Sequence, residues 1–298
     1  MSYDGKVLII GAQGRMGAAL ARRYASTREI ISWGRSDLNL LHLDRVREQV
    51  ENTDFSVLIY AAGLTNVDYC EDHEEEAFCT NSEVPGILAG ICEKKGARLI
   101  HISTDYVFDG RNNTPLTEEA PTHPLSVYGR SKLAGEQTVL TVSGRHLVIR
   151  VSWLFGPDRP SFPDMILKRA MTSDHVEAIS DKISCPTYSE DFAEWIEPML
   201  DDNRYSGLLH LCNSGSTSWQ NYGQTTLDIA ARLGVPLKAT NVEGLSRINF
   251  PSFKAERPEF TSFDTGKYQH LSGKTPRAWE DALEAYLKKA VSTGLCAV

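Results

Sequence analysis

The chain has 298 residues, of which 41% are hydrophobic and 23% are charged. This composition allows one large or two modest domains with a sizeable core, and it excludes a disordered chain, a disulfide mini-protein and a collagen-like repeat. The formal net charge is −8, so the molecule as a whole repels nucleic acid and anionic membranes, and we expect neither as a partner. Any phosphate-bearing ligand must therefore be held by a local group of cations.

The cysteines and the apolar segments indicate the compartment. No cysteine has a C-x-x-C partner or a histidine at metal-ligand spacing, which indicates neither a zinc site nor a disulfide framework. The N-terminus has no signal-peptide pattern, and no apolar run approaches the roughly 18 residues of a membrane helix. We therefore predict a cytoplasmic protein with reduced cysteines and no metal site.

Short apolar strands alternate with helices in the first half of the chain. Strands are predicted at 7–10, 30–33, 57–61, 99–102 and 147–151, with helical patterns at 18–24, 41–50, 83–94 and 131–142. This alternation indicates βαβ units, so we predict an α/β fold with a Rossmann-type doubly wound parallel sheet. Further helices are predicted at 187–200, 218–233 and 278–291, a strand at 207–211, and a turn at Pro258 that leads into the final helix.

A glycine-rich turn of the form G-x-x-G-x-x-G joins the first strand to the first helix. The first glycine permits the tight turn, the second lets backbone N–H groups approach a pyrophosphate, and the third allows the helix to pack closely on the strand. A chance glycine-rich loop is the alternative, but the position between a strand and a helix favours a dinucleotide site. The candidate cofactor-binding residues here are Gly11, Gln13, Gly14, Arg15, Met16 and Gly17.

The end of the second strand indicates which dinucleotide is bound. In NAD sites an acidic residue at this point bonds the ribose 2′-hydroxyl, whereas this strand is followed by Arg35 and Ser36. A guanidinium and a hydroxyl suit a 2′-phosphate, so we predict NADP and keep NAD as the alternative. A solvated loop arginine is the other interpretation of Arg35, because Asp37 follows closely. Arg15 is a second candidate for the phosphate.

Polar residues end the strand at 99–102, and a Tyr-x-x-x-Lys pair follows on a predicted helix. Thr104 lies in the polar run, and Tyr128 and Lys132 share one helical face. A phenol with a pKa near ~10 transfers protons poorly at neutral pH unless a neighbouring cation favours the phenolate. Exposed pairs of this kind are common, but this pair follows a dinucleotide turn. Tyr128 and Lys132 are therefore candidate catalytic residues, downstream of the strand end that bears Thr104.

At this point the sequence resembles the extended short-chain dehydrogenases, and among them the dTDP-4-dehydrorhamnose reductase family. The matching segments span most of the chain, namely 11–17, 61–63, 67–68, 103–110, 128–136, 150–153, 186–187 and 257–267. The run Ser-Thr-Asp-Tyr-Val-Phe-Asp-Gly at 103–110 is the most specific. Related nucleotide-sugar dehydratases have an acidic residue after the Thr-Asp pair, where this chain has Tyr106. That difference favours reduction over dehydration.

The resemblance implies that the C4 keto group of a deoxy sugar linked to a nucleoside diphosphate is reduced with NADPH, as in dTDP-rhamnose synthesis. It implies that Tyr128 donates a proton, that Lys132 lowers the pKa of the tyrosine and binds the ribose, and that Thr104 stabilises the developing alkoxide. Further cofactor contacts would come from the residues after the third strand, Ala61, Ala62 and Gly63.

The resemblance also implies a sugar pocket and a second domain. Asp68, Asp105 and Trp153 would line the pocket, although a packed core aromatic is the alternative for Trp153. The NADP-binding domain would comprise 1–156 and 187–234. A smaller, discontinuous substrate-binding domain would comprise 157–186 and 235–298, entered through a proline-rich segment.

Cations and aromatic residues alternate in one loop of the second domain. Such a loop suits the base and the phosphates of a nucleotide, and packing alone is the alternative. The candidate substrate-binding cations are Arg247, Lys254 and Arg257, and the aromatic residues are Phe250, Phe253 and Phe260.

Two departures from the family pattern concern metal and specificity. Some members hold magnesium at a dimer contact through an acidic residue after the glycine-rich turn, where this chain has Ala18 and Ala19. Magnesium is therefore doubtful despite Glu190, and a homodimer is left open. Lys182 and Ser184 replace the usual glutamine and glycine, a change expected to alter which sugar or nucleotide is accepted.

Two other functions share these motifs. The regulatory subunit of methionine adenosyltransferase resembles the same family and is not a reductase. Nucleotide-sugar 4-epimerases have the same tyrosine and lysine. The complete set of Thr104, Tyr128 and Lys132 favours an enzyme, and the residues that follow Thr104 favour a reductase.

Overall fold

A computed structural model describes residues 5–247 and 253–293, so Phe250 and Cys296 lie outside the described residues. The strands are β1 (Val7–Ile10), β2 (Ile30–Trp33), β3 (Val57–Tyr60), β4 (Arg98–Thr104), β5 (Leu147–Val151), β6 (Leu154–Phe155), β7 (Glu177–Ile179), β8 (Ile183–Ser184), β9 (Thr187–Tyr188), β10 (Gly207–His210), β11 (Thr217–Ser218), β12 (Glu243–Leu245) and β13 (Phe260–Thr261). The α-helices are α1 (Arg15–Tyr24), α2 (Leu43–Glu51), α3 (Val67–Asp72), α4 (Glu74–Phe78), α5 (Val84–Lys95), α6 (Val127–Val142), α7 (Phe162–Thr172), α8 (Ser189–Ile196), α9 (Trp219–Arg232), α10 (Gly266–Ser272) and α11 (Trp279–Ser292).

Six strands form the central sheet in the order β10-β5-β4-β3-β1-β2, and every neighbouring pair is parallel. The predicted α/β fold with a doubly wound parallel sheet is confirmed. All residues of β1, β3, β4 and β5 are buried. Helices cover both faces of a parallel sheet, which explains why these strands are rich in consecutive apolar residues. The carboxyl ends of the strands lie along one edge, where doubly wound folds bind ligands.

Alternate residues of the strands face two separate cores. On one face, Ile9 packs with Leu20 of α1 and Phe192 of α8. On the other face, Leu8 packs with Val46 of α2 and Leu88 of α5. This alternation follows from the two-residue repeat of a strand. It places α1 directly over the sheet and fixes where its N-terminus lies.

The second half of the chain adds smaller layers. β11, β8 and β13 form a three-stranded sheet, while β12 pairs with β7 and β6 pairs with β9. α9 contacts α7 and α11, whereas α10 lies against β10 of the central sheet. The predicted domain boundaries stay a prediction. None of the helices described is both long enough and apolar enough to cross a membrane.

Several predicted helix ends differ from the observed ones. α6 begins at Val127, earlier than expected, because the Ser126 hydroxyl caps it by accepting from the Gly129 N–H at 3.2 Å. The helix predicted at 187–200 begins with a strand, and Pro198 starts a separate 3-10 turn, since proline disrupts a helix interior. The turn at Pro258 leads first to β13 and α10. A seven-residue helix such as α10 has too few apolar positions to show a period.

Candidate active site

The glycine-rich turn forms a tightly packed cradle at the carboxyl end of β1. Gly11 has a φ of +93°, a conformation that other residues rarely adopt. Its N–H donates to the Trp33 carbonyl at 2.8 Å. A Cβ on Gly17 would lie 2.2 Å from the Gly11 carbonyl oxygen, so α1 can approach the turn only with glycine there. Gly14 caps α1, and the free N–H groups of the first helical turn fit a pyrophosphate.

The segment after β3 lies against this cradle. The Ala61 N–H donates to the Ile10 carbonyl at 2.9 Å, and a Cβ on Gly11 would lie 2.6 Å from the Ala62 nitrogen. Gly63 lies against Asn81, because a Cβ there would be 3.2 Å from the amide oxygen. The structure therefore brings Ala61, Ala62 and Gly63 to the predicted cofactor edge. Their contact with a cofactor stays a prediction.

The end of β2 presents Arg35 and Ser36 to solvent. The nearby carboxylate of Asp37 accepts a hydrogen bond from the Gly34 N–H at 2.7 Å and so closes the turn. A Cβ on Gly34 would lie 2.2 Å from the side-chain Cδ of Gln13. Gln13 therefore lies against the strand end that bears Arg35, as a shared cofactor site requires.

Arg15 and Met16 have contacts of their own in this structure. The Arg15 guanidinium donates to the carbonyls of Leu154 at 3.0 Å and Pro160 at 2.6 Å. In return, Arg159 donates to the Gln13 carbonyl at 3.0 Å. The Met16 side chain packs in the core, so a cofactor would meet its backbone. The phosphate contact predicted for Arg15 is not tested by these contacts.

The three candidate catalytic residues lie together at the carboxyl end of β4. Thr104 ends that strand, and Tyr128 and Lys132 lie in the first turns of α6, which packs on β4. All three are buried. Burial raises the pKa of Tyr128, and a hydrogen bond with Thr104 opposes that rise. The Tyr106 ring lies edge-on to the Tyr128 ring, with centroids 5.5 Å apart.

The Lys132 side chain is buried, one helical turn after Tyr128 on α6. It donates to the Ile102 carbonyl at 2.6 Å. Burial lowers the pKa of Lys132 to about 8, while Glu136 acts in the opposite direction. The imidazole of His101 is also buried there, and burial together with Lys132 lowers its pKa. The charges around Lys132 therefore decide its protonation state near neutral pH.

A buried ion pair lies one helical turn beyond Lys132, and sequence reasoning missed it. Arg150 Nε donates to Glu136 Oε1 at 2.9 Å and its Nη2 donates to Oε2 at 2.6 Å. The Ser103 hydroxyl donates to the same carboxylate at 2.5 Å. The sequence signal that could have revealed this pair was Arg150, a charged residue inside the apolar strand predicted at 147–151.

Asp105 links the two halves of the molecule. It is 2% exposed, and its Oδ2 accepts from the hydroxyls of Ser184 at 3.1 Å and Thr261 at 2.6 Å. These contacts connect the end of β4 to β8 and β13. The departure at Ser184 thus gives Asp105 a hydrogen-bond donor that glycine would lack. The predicted sugar contact of Asp105 is not tested here.

Lys182 is a buried cation beside the predicted sugar pocket. Its ammonium donates to the Pro258 carbonyl at 2.8 Å and lies 5.1 Å from the Tyr106 ring and 6.0 Å from the Trp153 ring. Burial lowers the pKa of Lys182 to about 8. Trp153 has a φ of +39°, and its ring stacks on Tyr222 with centroids 6.2 Å apart.

The loop cations predicted to bind phosphates are paired with carboxylates. Arg257 forms two hydrogen bonds with Asp68, at 3.0 and 2.7 Å, and stacks 3.6 Å from the centre of the Phe253 ring. The guanidinium lowers the pKa of Asp68 to about 2. Lys254 pairs with Asp72, and Arg247 pairs with Glu259. Asp68, Lys254 and Arg257 are thus brought together, with Arg247 bound to the Arg257 carbonyl.

Glu190 is the acidic residue that the family resemblance associates with magnesium. Its carboxylate pairs with Arg22 at 3.2 Å and Lys289 at 2.8 Å and accepts from the Tyr188 hydroxyl at 2.8 Å. Within residues 5–247 and 253–293, no group of three or more His, Cys, Asp and Glu side chains is placed to hold a metal. Whether the protein uses magnesium stays untested.

Comparisons with known proteins agree with this architecture. The family described as RmlD substrate binding domain matches residues 5–292. The chain is 30% identical to the dTDP-4-dehydrorhamnose reductase of Aggregatibacter actinomycetemcomitans, over 94% of this chain and 97% of the relative. It is also 30% identical to the spore coat polysaccharide biosynthesis protein SpsK of Bacillus subtilis, over 96% of this chain and 98% of the relative. A solved dTDP-4-dehydrorhamnose reductase from Bacillus anthracis, in complex with NADP, superposes with a TM-score of 0.87 at 27% identity, over 96% of this chain and 99% of that one.

Proposed function

Because the chain belongs to the dTDP-4-dehydrorhamnose reductase family, we propose that it reduces the C4 keto group of a nucleotide-linked deoxy sugar with NADPH. The observation that carries this proposal is the grouping of Thr104, Tyr128 and Lys132 at the carboxyl edge of the central sheet. The glycine-rich turn lies at the same edge, where doubly wound folds bind their ligands. The names of the relatives support a dTDP-linked sugar and a place in rhamnose and polysaccharide synthesis.

Each catalytic side chain has a separate task. Tyr128 gives its phenolic proton to the keto oxygen of the sugar, acting as a general acid. Thr104 donates a hydrogen bond to that oxygen as it becomes an alkoxide. Burial raises the pKa of Tyr128, and the Lys132 ammonium, one helical turn further along α6, would favour the phenolate. NADPH, when bound, supplies the hydride.

The cofactor site is built from the turn, from residues 61–63 and from the end of β2. The N–H groups at the start of α1 would hold the pyrophosphate, and Arg35 with Ser36 would hold the 2′-phosphate. Lys132 would hold the nicotinamide ribose. The relative solved with NADP supports this choice of cofactor, and NAD remains the alternative.

The sugar nucleotide would lie between the end of β4 and the loop around Arg257. Asp68 and Arg257 are held rigidly by their two hydrogen bonds, so the outer N–H groups of Arg257 have a fixed direction. Lys254 and Arg247 are more exposed and would approach the phosphates. Asp105 and Trp153 would form the wall around the sugar. The proposal includes the two-domain division and a cytoplasmic location, and it leaves a homodimer open.

Turnover by the purified protein tests the proposed function. With a dTDP-4-keto-6-deoxy sugar, NADPH should be oxidised, and Tyr128→Phe should lower kcat by about 10²-fold or more, because it removes the transferable proton. Binding of NADPH to Tyr128→Phe should be unchanged. The control is Tyr268→Phe, the same substitution in α10, which should leave kcat unchanged.

Three outcomes would contradict parts of the proposal. Equal turnover by Tyr128→Phe would exclude the assigned acid. A screen of nucleotide-linked 4-keto sugars in which no NADPH is consumed would favour a regulatory subunit. Conversion of a nucleotide sugar to its C4 epimer without net oxidation of NADPH would indicate an epimerase.

A further inference from the structure

A carboxylate outside the proposed catalytic set is built into the same helix face. We propose that Glu136 is a positioning residue whose buried negative charge keeps Lys132 protonated, and that Arg150 sets the strength of this effect. The inference rests on the proposed function, because it concerns the proton balance of Tyr128 and Lys132.

The geometry places the three groups in one buried row. Tyr128, Lys132 and Glu136 are spaced four residues apart on α6, so they share a face, and they are 8%, 3% and 2% exposed. Lys132 donates to the Ile102 carbonyl, and the Ser103 hydroxyl donates to Glu136. Two successive residues of β4 therefore anchor the ammonium and the carboxylate side by side.

A buried ammonium group needs a nearby negative charge to stay protonated. Burial disfavours the charged form of a lysine, and a carboxylate nearby favours it more strongly in a weakly polarisable interior than in water. Glu136 raises the pKa of Lys132 against the opposing effect of burial. Within the described part of the chain, Glu136 pairs with Arg150 and forms no ion pair of 4.0 Å or less with Lys132. One ammonium N–H donates to the Ile102 carbonyl, which leaves two for the cofactor and the tyrosine.

Arg150 holds the other side of the carboxylate. Its guanidinium makes three N–H···O contacts of 2.6–3.1 Å with Glu136 and lies 5.0 Å from the centre of the Phe108 ring. This pairing supplies the counter-charge that a buried carboxylate needs and holds the carboxylate in place. The other titratable groups that face the Tyr128–Lys132 pair are His101 on β4, Asp105 and Tyr106 after β4, and Cys70 on α3.

The pH dependence of kcat/KM for the sugar at saturating NADPH tests the inference, because its alkaline limb reports the Tyr128–Lys132 pair. Glu136→Gln removes a negative charge, which lowers the pKa of both groups, so the limb should move to lower pH by at least about 0.5 unit. Arg150→Gln leaves the buried carboxylate without its cation, which favours the neutral acid, so the limb should also move to lower pH. Glu136→Asp, which keeps the charge, distinguishes this effect from a general loss of packing.

The controls separate charge from structure. Glu74→Gln removes an exposed carboxylate that pairs with Arg130 of the same helix at 3.7 Å, and it should leave the profile unchanged. Glu136→Asp retains the charge and should keep the limb within the range of the wild type, even if Arg150→Gln fails to fold.

Two results would overturn the inference: an unshifted limb in Glu136→Gln, or a shift in Glu136→Asp as large as that in Glu136→Gln. Tyr128→Phe distinguishes this failure from a wrong function. If Tyr128→Phe is inactive while Glu136→Gln keeps the wild-type profile, only the role of Glu136 is excluded.

Discussion

At the scale of single residues, the proposed preference for NADP depends on one arginine that follows β2. Asp37 is close enough in sequence to act as the ribose ligand of an NAD site, but its carboxylate is bound to the Gly34 N–H at 2.7 Å. Arg35 is exposed at the same strand end. Under the proposed function, Arg35 would face the 2′-phosphate, whereas the Asp37 carboxylate is used within the turn.

Arg35→Ala should reduce the preference for NADPH over NADH. A charge-assisted hydrogen bond contributes about 1.5–3 kcal/mol, which corresponds to roughly a 10- to 100-fold change in the ratio of kcat/KM for the two cofactors. Steady-state rates with each cofactor give this ratio. Arg47→Ala, on the surface of α2, is the control. An unchanged ratio in Arg35→Ala would exclude the 2′-phosphate contact.

At the scale of elements, the cofactor turn is joined to the segment that follows β5. Arg15 donates to the carbonyls of Leu154 and Pro160, Arg159 donates to the carbonyl of Gln13, and Arg22 pairs with Asp158 at 2.6 Å. Movement of either segment breaks these contacts. The turn and the chain after Trp153 are therefore coupled.

Arg15→Ala separates two roles of that arginine. If its carbonyl contacts are its main function, the substitution should raise the KM for the sugar nucleotide several-fold and change the Kd for NADPH little, because hydrogen bonds to a cation contribute about 1.5–3 kcal/mol. If Arg15 instead binds a phosphate, the Kd for NADPH should rise and depend more weakly on salt. Fluorescence titration of NADPH and sugar kinetics distinguish the two. Arg159→Ala is the comparison, since Arg159 is exposed.

At the scale of the whole molecule, a hydrophobic core lies on each face of the central sheet, and acidic residues outnumber basic ones. The loop cations predicted to bind the substrate phosphates, Arg247, Lys254 and Arg257, each have a carboxylate partner, so this loop is not an open basic patch on a molecule with a net charge of −8. Under the proposed function, substrate binding would use cations already held in place, which reduces the entropy lost on binding.

The central sheet should dominate stability. Ile149→Ala removes a completely buried side chain of β5, so it should lower the free energy of unfolding by about 2–5 kcal/mol. Met165→Ala changes a residue of α7 that is 60% exposed, and its effect should be below about 0.5 kcal/mol. Urea denaturation of both variants measures the difference. Equal effects would mean that β5 is not part of the main core.

The sequence by itself determined the features that depend on neighbouring residues. The βαβ series, the glycine-rich turn and the Tyr128–Lys132 spacing are local patterns, and periodicity or steric requirement reveals them directly. The reductase family also followed from short motifs. These features fixed the sheet and the edge on which the candidate site lies.

Only the tertiary structure decided which distant residues support that site. Glu136 meets Arg150, Arg15 meets Leu154, and Asp105 meets Thr261, across separations of 14, 139 and 156 residues. The sequence does not show which of several possible partners a charged side chain will contact, because burial and packing in the folded chain select the partner. The local pattern thus identified the candidate catalytic groups, and the fold determined which charges surround them.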